Sequence, residues 1–150
     1  MTFTAQQIAQ MRSHALEAYP RECIGAIVGA DPANAELIPL TNVQDQVHRE
    51  DPRRFTRDAR TGYFVDPKEV FTLVSKAQKE GKKLLAFYHS HPDHECYFSQ
   101  EDHAGAVMFG EPVYPDTVYI VISVCQGAVK DAVIFSWNGA TYTPSGNLRD

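Results

Sequence analysis

The stretch Leu84-Leu85-Ala86-Phe87-Tyr88-His89-Ser90-His91-Pro92, followed by six residues and then Ser99-Gln100-Glu101-Asp102, decides how this chain reads. Leu84 to Tyr88 is a short apolar run, the pattern of a buried strand, and it leads straight into His89. Side chains alternate along a strand, so His89 and His91 face one way and Ser90 the other. Imidazole suits zinc, and Asp102, one turn into the helix expected after Ser99, can complete the set. Three protein ligands leave a fourth position open to water, as in catalytic rather than structural zinc sites. Each half also has a plainer reading: two surface histidines, and Ser99-x-x-Asp102 as an ordinary capping box. Glu101 stands as the substitute ligand should Asp102 be only a cap.

The rest of the chain supplies a frame for that stretch. A helix is expected over residues 5 to 18, with Thr4 and Gln7 as a capping box and Ile8, Met11, Ala15 and Leu16 on one face; Pro20 stops it. Cys23 to Val28 reads as a buried strand ended by Gly29, and Leu37 to Leu40 pairs back on it after a turn at Asp31-Pro32-Ala33-Asn34. Residues 43 to 62 are polar, lack clean periodicity and read as a long loop flanking the site. Asp66-Pro67-Lys68-Glu69 starts a helix whose buried face is Val70, Phe71, Val74 and Ala77, closed by Gly81. A helix over 100 to 109 follows, then strands over 118 to 124 and 132 to 137, with Asn138-Gly139 as a hairpin turn. Helices interleaved with strands, and a hairpin-rich end, predict a three-layer α/β fold around a mixed, partly antiparallel sheet.

The chain is long enough for one domain, 1–150, with a real core. A net charge of -5 argues against a nucleic-acid-binding surface. The Lys/Arg cluster at Arg49-Glu50-Asp51-Pro52-Arg53-Arg54 is interrupted by acids and reads as a solvated loop. No apolar run approaches the roughly 18 residues that span a membrane, and the first residues lack a basic region before an apolar core. Three cysteines without a CxxC pair suit a reducing compartment, so a cytoplasmic location is expected. The sequence leaves the oligomeric state open.

The run His89-Ser90-His91-Pro92-x6-Ser99-x-x-Asp102 resembles the JAMM motif of the MPN-domain metalloproteases. Pro20-Arg21-Glu22-Cys23-Ile24-Gly25-Ala26-Ile27-Val28-Gly29 is similar to the family's upstream segment, which carries a glutamate, and Phe64-Val65-Asp66-Pro67 resembles its strand-to-helix junction. The resemblance spans roughly residues 5 to 142, with the first two motifs the sharp ones. It implies an MPN-type, cytidine-deaminase-like α/β/α arrangement and one Zn²⁺ per chain held by His89, His91 and Asp102. It also implies that Glu22 takes a proton from water and passes it to the leaving amine, and that Ser99 donates to the oxyanion. Without the resemblance, Glu22 reads as a solvated acid after a helix.

The activity implied is that of a zinc-dependent peptidase or isopeptidase acting on a peptide or small protein. The substrate would be the C-terminus of a ubiquitin-like or sulfur-carrier protein, or a peptide in a phage tail, which would make the chain a virion tail component. The alternative is a non-catalytic MPN-like scaffold or tail-assembly protein; the presence of all three expected ligands, the glutamate and the serine weighs against it. A zinc nucleobase deaminase would need a P-C-x-x-C segment, which is absent. Two finer expectations concern the site's surroundings. Cys96 or His94 would take the open metal position and restrain activity, and an extended substrate would pair along the strand that ends at Tyr88.

Overall fold

The computed structural model describes residues 1–148, which fold into a six-stranded mixed sheet with helices packed on it and a separate two-stranded ribbon. In chain order the elements are α1 (Ala5–Ala18), β1 (Ile24–Gly29), β2 (Glu36–Leu40), α2 (Gln44–Glu50), α3 (Pro67–Lys79), β3 (Lys83–Pro92), α4 (Gln100–Ala106), β4 (Val107–Met108), β5 (Glu111–Pro112), β6 (Val118–Cys125), β7 (Ala128–Trp137) and β8 (Tyr142–Asn147). The sheet order is β2-β1-β3-β6-β7-β8. Only β3 and β6 run parallel; the other neighbours are antiparallel.

Strand alternation sorts the core into two layers. Ile27, Ala86, Tyr88, Ile120, Ile122 and Ile134 point to one side, where Ile8, Met11 and Ala15 of α1 cover them. Ile24, Ala26, Phe87, Tyr119, Val121 and Phe135 point to the other, against Val70 and Leu73 of α3 and Ala106 of α4. His89 and His91 continue the second face of β3 beyond Phe87. The apolar strand thus carries both imidazoles, and burial on both sides makes it a stiff support.

Several expected boundaries move. β3 runs on from the apolar run through Pro92, so the histidines lie within the strand, as their alternation requires. The α4 helix stops at Ala106, because the chain turns into the β4–β5 ribbon, with Phe109 and Gly110 both at positive φ. Strand β7 begins at Ala128, four residues before the expected start. Trp137 pairs with Tyr142, so the last hairpin has a four-residue turn in which Asn138 Oδ1 accepts from the Ala140 and Thr141 amides. Leu16 and Phe71 are exposed, Phe71 by 73%; Leu73 takes the expected place of Phe71 on the buried face of α3.

The largest correction is in residues 43 to 62. They contain helix α2, and the segment is tied down rather than loose. Asn42 Oδ1 accepts from the Gln44 and Phe64 amides, the buried Gln44 side chain donates to the Arg57 carbonyl, and Asp45 Oδ1 accepts from the Ala59 amide. No apolar period announces α2, since tertiary hydrogen bonds rather than an amphipathic face hold it.

Candidate metal centre

The site forms where the second face of β3 meets the start of α4 and the segment before β1. His89 is fully buried, and His91, Asp102 and Glu22 nearly so. His89 Nε2 lies 3.2 Å from His91 Nε2. Asp102 Oδ2 is 3.2 Å from His89 Nε2 and 3.3 Å from His91 Nε2. The three atoms therefore make a nearly equilateral triangle. Glu22 joins the same cluster: Glu22, His89 and His91 offer ligand atoms all within 4.8 Å of one another.

The hydrogen bonds around the triangle decide what it can hold. His91 Nδ1 is 2.9 Å from the Glu95 carbonyl, which can only accept, so Nδ1 carries the proton and the neutral ring presents a bare Nε2. Asp102 adds carboxylate lone pairs to the same point. Without an ion, burial would raise the Asp102 carboxyl, but the charge of His89, hydrogen bonds from both histidines and the Ser99 amide hold it well below the usual carboxylate range; a cation at the triangle would take the place of the protons on those histidine edges. Lone pairs converging in a buried site need a proton or a metal ion between them. A face of a tetrahedral ion with bonds of about 2.0 Å has edges of roughly 3.3 Å, which the triangle matches. The residues present thus fit a metal ion.

Two devices hold these side chains. Ser90, turned to the opposite face as expected, accepts at Oγ from the Cys23 amide at 2.8 Å and so pins the β3 exit to the residue after Glu22. Ser99 caps α4: its Oγ accepts from the Asp102 amide, while Asp102 Oδ2 accepts from the Ser99 amide. Asp102 is therefore both cap and part of the triangle, and the two readings of Ser99-x-x-Asp102 do not compete. Glu101, the substitute ligand, turns away; its carboxylate lies 2.8 Å from Arg57 Nη2.

The segment around α2 positions Glu22. The Glu22 amide donates to the Ala59 carbonyl at 2.7 Å, and the Glu22 carbonyl accepts from Asn42 Nδ2 at 2.8 Å. Burial, then the neighbouring Asp102, pushes the Glu22 carboxyl up to about 9, so without a metal it holds its proton at neutral pH. Nothing in the local sequence links Asn42 or Ala59 to Glu22; only the folded register does.

A cleft of about 800 Å³ opens from this cluster, walled by Val70, Val74, Phe87, Tyr114 and Tyr119 and floored by Glu22, His91 and Asp102. Tyr63 also lines it, with its ring 4.9 Å from that of His89; no motif pointed to this residue. Cys96 does not reach the metal cluster. It packs into the aromatic core layer, where burial pushes its thiol up to about 11, while His94 lines the cleft. Strand β3 is hydrogen-bonded to β1 on one side and β6 on the other, so it has no free edge along which a substrate could pair. That expectation fails because β6 inserts beside β3 after a long crossover that alternating strand patterns do not reveal.

Among the described residues no helix is long and apolar enough to cross a membrane. A probable TtuB-protein conjugate cleaving protease of Thermus thermophilus is 31% identical over 85 residues, 57% of this chain and 49% of that protein, so the match spans about half of the relative's length. A solution structure of a protein from Desulfitobacterium hafniense superposes with a TM-score of 0.65 at 22% identity, covering 96% of this chain and 88% of the other. One from Salinibacter ruber superposes at 0.62 with 25% identity, covering 100% and 92%. These likenesses support the mixed α/β fold. Residues 4–138 match the family of prokaryotic homologs of the JAB domain, and the chain belongs to that family.

Proposed function

We propose that this chain is a zinc-dependent peptidase or isopeptidase, with its machinery held in a single domain. The observation that carries the reading is the triangle of His89, His91 and Asp102 at the floor of a cleft, with the Glu22 carboxyl beside it. Zn²⁺ is the ion assigned, because two imidazoles and a carboxylate make a usual catalytic zinc set. When bound, the ion supplies Lewis acidity, which lowers the pKa of water and polarises an amide carbonyl.

The protein's own groups do the rest. Glu22 takes the proton released as water attacks and hands it to the departing amine. A buried carboxyl beside a cation is suited to this, since burial raises its proton affinity and the cation lowers it again. Ser99 Oγ already accepts from the Asp102 amide, which leaves its hydroxyl proton to donate to the developing oxyanion. The Glu95 carbonyl keeps His91 in the tautomer that leaves Nε2 bare. The apolar cleft walls keep bulk water from the reacting carbonyl. The name of the Thermus relative supports a small-protein conjugate as the substrate class.

The test is cleavage of a reporter joined by an amide bond to the C-terminus of a small ubiquitin-like protein. Cleavage that EDTA abolishes, and that Glu22→Gln slows by at least about 10²-fold, is the expected outcome. Cleavage indifferent to both would contradict the reading.

A further inference from the structure

The cleft is lined by three carboxylates, Glu22, Glu101 and Asp102, but by only one Lys or Arg side chain among the described residues, Arg57. Arg57 comes from the segment that clamps the Glu22 backbone, two residues before the Ala59 carbonyl that accepts from the Glu22 amide. Its own carbonyl is held by the buried Gln44 side chain at 2.8 Å. The backbone under Arg57 is thus tied into the same segment, and the guanidinium reaches across to Glu101 on α4. The two side chains are about half exposed, at 48% and 51%, so their pairing is screened and weak.

We propose that Arg57 anchors a carboxylate of the substrate, so that the site selects peptides bearing a carboxylate close to the scissile bond. This proposal rests on the peptidase reading above. A guanidinium fork matches a carboxylate in two parallel hydrogen bonds. In the free protein Glu101 Oε1 lies against one arm of that fork, Nη2, as the chain's own stand-in. An incoming carboxylate exchanges one ion pair for another and releases Glu101 to solvent. A substrate without a carboxylate leaves the Arg57–Glu101 pair lying across the cleft and receives no anchor. A terminal α-carboxylate and an acidic side chain offer the same chemistry, and the probes separate them.

Binding is measured by titration calorimetry on zinc-supplied protein carrying Glu22→Gln, which slows turnover. The probes are N-acetyl-Leu-Ala-Gly-Gly as the free acid, the same peptide as the amide, and the amide of N-acetyl-Leu-Ala-Gly-Glu. The acid is expected to bind about tenfold more tightly than the first amide. Arg57→Gln added to this background should cut that ratio about tenfold, and Glu101→Gln should raise it. A glutamyl amide that matches the acid identifies a side-chain carboxylate as sufficient; one that matches the plain amide restricts the anchor to the chain terminus. An acid-to-amide ratio unaffected by both variants, or no binding of either carboxylate probe, overturns the proposal. Melting temperatures check that both half-exposed substitutions leave the fold intact. Repeating the titration after EDTA treatment separates the two readings: a failed zinc site removes the peptidase assignment, whereas the Arg57-dependent ratio persists without zinc.

Discussion

The ring of Tyr63 lies 4.9 Å from the ring of His89, tilted by 37°. His89 Nδ1 is buried and makes no hydrogen bond among the described residues. Metal-binding histidines are ordinarily oriented by a hydrogen bond to the second ring nitrogen, and His91 follows that pattern through Glu95. His89 relies on aromatic packing instead. Tyr63→Phe should therefore keep zinc affinity within a few fold, while Tyr63→Ala should weaken it by about 10–100-fold. Competition with a chromogenic chelator measures both; equal affinity in the alanine variant would show that packing does not position the ring.

Glu22 should make the stability of the metal-free protein depend on pH. Burial pushes its carboxyl up to about 9 in the fold, against about 4.5 for a free glutamate. The folded chain holds a proton that the unfolded chain has released across this window. The contribution of Glu22 to stability is therefore complete below about 4.5 and is lost progressively as pH rises towards 9. Thermal melts after EDTA treatment should fall more steeply over that range in the wild type than in Glu22→Gln. Parallel slopes would place the Glu22 proton elsewhere.

Zinc loading should release that proton, because a cation beside Glu22 favours the carboxylate. Calorimetry at pH 7 in buffers of different ionisation enthalpy should count about one proton fewer for Glu22→Gln than for the wild type. Identical counts would mean that Glu22 does not sense the ion.

On the proposed reading Ser99 has two separable duties. Ser99→Ala should cost about 1 kcal/mol of stability from the lost cap, read as a lower melting temperature. It should also reduce kcat by about 10²–10³ through the lost donor, with the zinc content kept. A fall in stability without a matching fall in kcat would leave Ser99 as a cap alone.

Gly25 lies opposite Tyr88 in the β1–β3 register, and a Cβ there would fall 2.2 Å from the Tyr88 ring. Gly25→Ala should destabilise the protein by about 1–3 kcal/mol, through displacement of a ring whose hydroxyl is hydrogen-bonded to His14. Denaturant melts measure this; a neutral variant would mean that β1 shifts freely against β3.

The parts of the fold that were legible in the sequence are those set by local periodicity. Alternation placed His89 and His91 on one face and Ser90 on the other, and the Ser90–Cys23 bond follows from that. Capping chemistry located both ends of the Ser99–Asp102 box. What stayed hidden depends on long-range register. Helix α2 has no apolar stripe and is held by Asn42 and Gln44, polar residues whose partners lie up to 22 residues away. Tyr63 and Arg57 sit in the same segment, and only its folding back on Glu22 brings them to the cleft. The closed edges of β3 likewise depend on a crossover to β6 that no local pattern announces.

The most direct test of the central claim is the zinc content of purified protein by mass spectrometry. The wild type should carry about one zinc per chain, Asp102→Ala should lose it, and Glu22→Gln should retain it. A wild-type protein that takes up no zinc even when zinc is supplied, or an Asp102→Ala variant that keeps its full complement, would contradict the account.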